Sequence, residues 1–435
     1  MTSPWSDPPG PTRPRYTRRV STAPGARAPG PGVGGLFQLF RDGRPRTKAE
    51  LADVTGLARS TISLRTDVLV DLGLLRRAGE AVSSGGRPPS RLVFDPTARV
   101  VVGCDLGAEH GRVVLADLDA RILATSESDL EIASGPRSVL GWVQSTALTL
   151  LGEQGIPVER VAGLGIGLPG PVEHATGRPM KPPLMPGWDG FDVVRYFEGV
   201  FPAPVLVDND VNLLALGERA GALPGVSDLV FVKVSTGIGA GIISGGALQR
   251  GAQGAAGDIG HVVPPRSPGS GRTADDERDL EALASGPAIA EVLRDEGSAH
   301  SATTGELLRL LEAGDRRAAA LTRQAGREIG AVLSTVVSVL NPSVIVVGGS
   351  IARAGEDLLA GIREVVYRRS VPLATQRLQI LPSTGGDTAG ALGAATMIIE
   401  RVLSEASVDE LVAVGGTRGA GAPPAPGATG ASGAP

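Results

Sequence analysis

Cysteine is almost absent: the 435 residues contain one, Cys104. That excludes a disulfide framework and a cysteine-rich zinc site. Long apolar runs are missing too, since the longest candidate, residues 332–340, falls well short of the ~18 residues a membrane span needs. The Pro- and Arg-rich N-terminus has no apolar core, so it does not read as a secretory leader. Lysine is scarce. Only Lys48, Lys181 and Lys233 stand among 42 basic residues, a coding bias to which no function is attached. What remains is a chain of about two to three domains, expected in the cytoplasm and without a membrane partner.

Gly and Pro are abundant, at 62 and 34 residues, and they cluster. They fill 12 of the first 32 positions and 11 of the 21 in 415–435. Residues 1–32 and 406–435 are therefore expected to be disordered, low-complexity tails. Charge is uneven as well. Residues 1–91 hold 15 Lys+Arg and 7 Asp+Glu, a net of +8, which leaves −12 on the other 344. A basic front on an acidic body points to a polyanion-binding module joined to something else.

Between the tails the apolar pattern becomes periodic. Leu36-Phe37 and Leu39-Phe40 lie along one helix stripe. Thr47-Lys48-Ala49-Glu50 has capping-box spacing. Gly56 breaks that helix, and another starts near Ala58, with Ile62, Val68, Leu69 and Leu72 at helical intervals up to Gly73. Three short helices with a tight glycine turn before the third make a helix-turn-helix. Near the start of the third stand Arg59, Ser60, Thr61, Ser63 and Arg65, suited to the base edges and phosphates of double-stranded DNA. A merely solvated helix face shows the same spacing. Residues 74–77 and 92–94 can pair as the strands of a wing. Between them Arg87 projects from Ser83-Ser84-Gly85-Gly86-Arg87-Pro88-Pro89, an extended segment suited to a narrow minor groove. Residues 33–95 thus read as a winged helix-turn-helix domain, predominantly α.

Residues 96–405 read as α/β. Strands at 99–104, 112–118 and 122–126 precede a helix over 136–151 and strands at 161–167 and 204–207. Strands at 228–235, 241–244 and 247–250 repeat that opening, followed by long helices, one over 315–340, and a buried strand at 344–347. Two such lobes imply a cleft. Three loops could wrap phosphates: Asp105-Leu106-Gly107, the glycine-rich 235–241 with Thr236 and Gly237, and Gly348-Gly349. Residues 167–172 and 208–212 look like walls of a polar pocket. His174 and His300 lie in no motif and are expected at the surface.

These motifs resemble the ROK family of repressors and sugar kinases, over about residues 36–403. The most specific stretch is VSTGIGAGIISGGALQRGAQGAAGDIGH (234–261). GIGLPGPV (165–172), DNDVN (208–212), LNPSVIVVGG (340–349) and GALGAA (390–395) match too. The segments GLARSTISLRTDVLVDLGLL and GGRPP resemble the DNA-binding arm of the family's regulators, which its plain kinases lack. The resemblance implies an actin-like, two-lobed, ribonuclease-H-like ATPase fold. It implies that Asn209, Asp210, Asp258, His261 and Glu281 hydrogen-bond a sugar, with Asp210 the general base in the kinases. It also implies association into a homo-oligomer.

Three departures from the family pattern stand out. The family's kinases read Asp-x-Gly-Gly-Thr where this chain has Asp105-Leu106-Gly107-Ala108-Glu109-His110. Glu109 places a carboxylate where ATP phosphates approach. One like-charge contact at ~4 Å costs about 1 kcal/mol in water-like surroundings and about 4 at an effective dielectric of about 20. The family's zinc-binding cysteines are missing from 264–280, and Asp279 stands where the last would be. Asp258 replaces the usual Glu. The expectation is a sugar- or sugar-phosphate-responsive DNA-binding regulator that needs no zinc, ATP or magnesium. The alternative is a glucokinase-like sugar kinase carrying a DNA-binding arm.

Overall fold

Thr47 caps its helix from both sides, as its spacing with Glu50 requires. Its Oγ1 accepts from Glu50 N at 3.2 Å, and Glu50 Oε2 accepts from Thr47 N at 2.7 Å. The structure, a computed structural model, describes residues 32–80, 90–183, 185–265, 273 and 276–419. The chain forms two units, Met1–Phe94 with Val408–Pro435, and Asp95–Ser407.

In the first unit α1 (Val33–Gln38) leads to β1 (Arg46–Thr47), α2 (Lys48–Thr55), α3 (Arg59–Asp71), β2 (Leu75–Glu80) and β3 (Ser90–Phe94). Gly56, at φ +70°, ends α2 and makes the tight turn into α3. β3 lies between β1 and β2, antiparallel to both. Phe37, Phe40, Leu51, Ile62 and Leu69 are fully buried, and Phe37 meets Phe94 edge-on at 5.6 Å.

The second unit repeats one plan. β4 (Val100–Leu106), β5 (His110–Asp117) and β6 (Ile122–Asp129) run antiparallel, and α4 (Pro136–Glu153) crosses to β7 (Val161–Leu168). The hairpin β8 (Val172–Glu173) and β9 (Arg178–Pro179) and the short α5 (Val193–Tyr196) precede β10 (Val205–Asn209) and α6 (Asp210–Gly221). β7 and β10 pair in parallel from β4, so the sheet order is β10-β7-β4-β5-β6.

The second pass has β11 (Leu229–Val234), β12 (Ile238–Ser244) and β13 (Ala247–Gln249), again antiparallel. Four helices follow: α7 (Leu280–Ala284), α8 (Gly286–Asp295), α9 (Thr304–Glu312) and α10 (Arg316–Leu340). Asn341, left-handed at φ +47°, ends α10 just before Pro342. Then come β14 (Val344–Gly348), α11 (Ser350–Arg353), α12 (Asp357–Arg369), α13 (Pro372–Thr375) and β15 (Gln379–Pro382), in the order β13-β12-β11-β14-β15. α14 (Ala389–Val402) returns to the first sheet, where Gly103 and Gly165 let its backbone lie directly on β4 and β7. Each sheet has its own core, around Val102, Leu140, Leu164 and Trp188 in one lobe and Val232, Ile329, Ile345 and Ile362 in the other.

Two expectations change. The stretch 235–241 is only partly a loop, because β12 begins at Ile238. Gly239 and Gly241 are strand residues, and a Cβ on Gly241 would press to 2.6 Å from Val211 O of α6. These glycines serve helix–sheet approach, which reads in a sequence like a turn. The second change is at the C-terminus, where disorder was expected from residue 406. A helix α15 spans Glu405–Gly419 instead. Val408 is buried, and Asp409 Oδ1 accepts from Gly34 N at 2.8 Å, so α15 supplies the cap that Gly32 cannot give α1. The remaining tail residues, 1–31 and 420–435, lie outside the described residues.

Candidate functional site

Three consecutive polar residues, Asp208 and Asn209 at the end of β10 and Asp210 at the start of α6, send their side chains to different partners. Asp208 is buried, and its Oδ2 takes Arg250 Nε at 2.6 Å, with His174 Nδ1 at 3.4 Å. Its Oδ1 accepts from Asn212 Nδ2 and Asn209 N, each at 2.8 Å. Asn209 caps α6, accepting from Val211 N at 3.0 Å, and donates through Nδ2 to Gly170 O at 2.9 Å. Asp210 is buried in the first turn of α6, and its Oδ2 lies 2.5 Å from Lys233 Nζ of β11. Burial pulls the Lys233 ammonium down, but the charge and hydrogen bond of Asp210, with the charge of Asp105, outweigh it and raise its pKa. Removing one partner of a buried pair costs about 3–5 kcal/mol, because the other charge is left alone. Asp208 lies in the 208–212 segment read as a pocket wall, but Lys233 and Arg250 were given no role by the sequence reading, and His174 is half-buried rather than a free surface residue.

Asp258, His261 and Glu281 gather on the facing lobe. His261 is exposed, and its Nδ1 lies 3.1 Å from Asp279 Oδ2. That hydrogen bond, then the charge of Asp258, then those of Glu281 and Asp279, raise the His261 pKa against a small burial effect. Asp279 is lowered, first by accepting from Ala282 N at the start of α7 and then by His261. Glu281 Oε2 accepts from Ile238 N at 3.0 Å and lies against Gly237 and Gly260. The charged His261–Asp279 pair thus contributes fully below the ordinary His pKa near 6.5 and is lost as pH rises through the raised value. At the acid end it fades as pH falls through the lowered Asp279 value. Asp279→Asn should bring the His261 titration down towards its ordinary range, as followed by NMR of the ring protons. An unchanged midpoint would mean that another group holds the proton.

The expected phosphate loops are contacted by side chains from their own surroundings. Asp105 is buried against Gly390 at the start of α14. His110 stands 3.7 Å from Asp105 and covers Gly107, where a Cβ would collide with its ring. Glu109 is exposed at the tip of the β4–β5 turn. Thr236 Oγ1 sits 3.4 Å from Thr304 Oγ1, and Gly237 faces the Glu281 carboxylate. Gly348 packs on the Phe231 ring, and Gly349, at φ +94°, turns into α11 against the Val234 carbonyl. Farther along α6, the buried Glu218 accepts from Ser383 Oγ, Thr384 N, Thr384 Oγ1 and Gly385 N, fixing the turn before α14. Asp387 in that turn meets Arg353 at 2.6 Å, and its carbonyl accepts from Arg112 of β5.

In the first unit, α3 buries Ile62, Thr66 and Leu69, which turns Ser60 and Leu64 outward. Arg59 and Ser60 are exposed, whereas Thr61, Ser63 and Arg65 are half-buried on the flanks. Lys48 Nζ bridges Ser63 Oγ at 3.2 Å and Asp67 Oδ1 at 2.8 Å, tying α2 to α3. Arg65 Nη1 is buried without a hydrogen-bond partner among the described residues. Leu64, missed by a reading that sought polar groups, is 69 % exposed beside Ser60. The acidic side chains of α3, Asp67 and Asp71, lie in its second half, so its first half is free of like charge towards phosphate. Arg87 lies outside the described residues.

The ROK family model matches residues 101–401. This chain belongs to the ROK family. The xylose repressor of Bacillus spizizenii is 27 % identical over 369 residues, covering 85 % of this chain and 94 % of that protein. A ROK hexokinase from Thermus thermophilus is 31 % identical, covers 72 % of this chain and 99 % of its own, and superposes with a TM-score of 0.58. A ROK transcriptional regulator homologous to the E. coli MLC protein shares the fold, at 24 % identity and a TM-score of 0.72 over 87 % of this chain. The unit Asp95–Ser407 is 313 of 435 residues, or 72 %. A repressor match over 85 % therefore extends into the N-terminal unit, because the 28 residues after Ser407 cannot account for the excess.

Two groups that the family resemblance implies meet obstacles among the described residues. For zinc, among the described residues no three His, Cys, Asp or Glu converge on one point, and His261 and Asp279 bond each other. The strand-like contacts Leu280 N to Val262 O and Glu281 N to Gly260 O, both 2.9 Å, clasp the ends of that loop instead. A metal-bound nucleotide would meet the His110 ring over Gly107 and an ammonium already on Asp210. Among the described residues no helix is long and apolar enough to cross a membrane.

Proposed function

We propose that this chain is a sugar-responsive transcriptional repressor. It binds double-stranded operator DNA through the unit around α3 and reads its effector with Asn209, Asp210, Asp258, His261 and Glu281. The observation that carries this reading is the extent of the repressor match, which reaches past the ROK domain into the helix-turn-helix unit. A helix-turn-helix reads only a few base pairs, so a homo-oligomer places two of them on half-sites ~10 bp apart or a multiple. Ligand acts by favouring one state of the cleft, and a coupling of about 1–3 kcal/mol changes operator affinity about 5–150-fold.

The test is operator selection from random DNA with the full-length chain, followed by Arg59→Ala. Loss of about 1–3 kcal/mol of binding with relaxed preference at one base pair is expected. Undiminished affinity and specificity would remove α3 from the interface. A strictly monomeric protein on DNA, by sedimentation at micromolar concentration, would remove the half-site arrangement.

The hexokinase match favours a second reading, an ATP-dependent sugar kinase with a DNA-binding arm. Two features stand against it. Asp210, the residue that would act as general base, is held by Lys233, and the first phosphate loop is covered by His110 with Glu109 at its tip. Hexose phosphorylation should be negligible. Turnover at ordinary enzyme rates, roughly 1–10³ s⁻¹, would reinstate the kinase.

A further inference from the structure

We infer that the effector is an uncharged sugar and not a sugar phosphate, because the cations placed in the cleft are already committed to the cleft's own carboxylates. The inference rests on the sugar-pocket reading above. Lys233 is held by Asp210 at 2.5 Å and Arg250 by Asp208 at 2.6 Å, and both carboxylates are buried. His261 is held by Asp279. Nearer the phosphate loops, Arg112 is held by Glu127 at 2.6 Å and Arg353 by Asp387. Five carboxylates, those of Asp208, Asp210, Asp258, Asp279 and Glu281, thus face two fixed cations and one titratable ring.

A phosphate ester brings between one and two further negative charges. To be matched it must draw Lys233 or Arg250 off a buried carboxylate, which is then left unpaired. A hydroxyl makes no such demand. It donates to a carboxylate oxygen and accepts from an amide or ring N–H, which is what Asp258, Glu281, Asn209 and His261 offer. Lys181, next to the Pro182 that packs on Gly170, is exposed to water rather than paired with a buried carboxylate, and only its backbone N is fixed, by Asp189 Oδ1 at 2.7 Å, so Lys181→Ala is a control that should leave the ester-to-sugar ratio unchanged. Lys233 is in this way a specificity-determining residue. It neutralises Asp210 from inside the protein, so nothing outside has to.

The test is calorimetric titration of the full-length chain with xylose, glucose and N-acetylglucosamine, each beside its phosphate ester. At least one free sugar is expected to bind, with its ester weaker by roughly tenfold or more. Asp210→Asn releases Lys233 from its carboxylate, and the ester-to-sugar affinity ratio should then rise by roughly tenfold or more. Lys233→Arg keeps the pair and should keep the wild-type preference. An ester that binds tighter than its parent sugar overturns the inference, as does an unchanged ratio in a folded Asp210→Asn protein. If that variant does not fold, the wild-type ratio decides alone. If no sugar and no ester binds, the pocket reading itself has failed, an outcome that a charge preference cannot produce.

Discussion

A chain ended after Ser407 is expected to lose operator binding while the Asp95–Ser407 unit melts as before. The reason is the division of labour along α15. Its first residues close the Asp95–Ser407 unit, where Ser404 Oγ meets Ser407 Oγ at 2.9 Å and Ser407 Oγ donates to Arg401 O at 2.7 Å. From Val408 onward it belongs to the N-terminal unit. α1 has six residues and no side-chain cap of its own, and helices shorter than about 12–15 residues are marginal alone. Asp409 satisfies the Gly34 amide, a contribution of about 0.5–2 kcal/mol for a typical N-cap. Burial of Val408 adds about 1.5–3 kcal/mol. A unit of this size has about 3–9 kcal/mol in total at typical stability per residue, so losing both removes a large share. Gel shifts on the selected operator, with calorimetric melting of the same samples, check the outcome. Undiminished binding by the truncated chain would show that the N-terminal unit is complete without α15. Asp409→Ala, which removes only the cap, should weaken binding in the same direction by a smaller step.

How much of this was legible depends on how local each signal is. The capping box at Thr47, the turn at Gly56 and the end of α10 before Pro342 involve residues within four positions of each other, and the structure places all three as read. The repeated order of strands and helices was legible for the same reason. α15 was not, because a run that contains Gly415-Gly416 looks like tail, and its decisive partner, Gly34, is 375 residues away. The residues that the family resemblance assigns to a pocket could be named, but their partners could not. Lys233 meets Asp210 across 23 positions and Arg250 meets Asp208 across 42, with nothing in the spacing to pair them. A signal was present in the rarity of lysine. Two of the three lysines, Lys48 and Lys233, are bonded to carboxylates on a neighbouring element, so dismissing them as coding bias missed two braces of the fold.

Adding one methyl group at Gly393 is expected to be among the most damaging changes to this chain. α6 and α14 cross with their backbones in contact. A Cβ on Gly393 would overlap Leu213 O, and one on Gly217 would overlap Ala389 O. Neither obstacle is a flexible side-chain end, so relief requires the helices to separate. Overpacking typically costs about 1–3 kcal/mol, and a backbone obstacle puts Gly393→Ala at about 3 kcal/mol or more. The same separation reaches the site, because α6 begins with Asp210 while Gly390 of α14 backs the Asp105 carboxylate. Urea unfolding and sugar titration should therefore fail together. Gly152→Ala in α4 makes the same chemical change where nothing lies within 4 Å of the new methyl. It should stabilise by about 0.4–1 kcal/mol, through helix propensity and a less flexible unfolded chain. Opposite signs for the two variants identify the helix crossing as the cause. Equal shifts would show that the α6–α14 contact can give way, and with it the link between Asp210 and the Asp105 carboxylate.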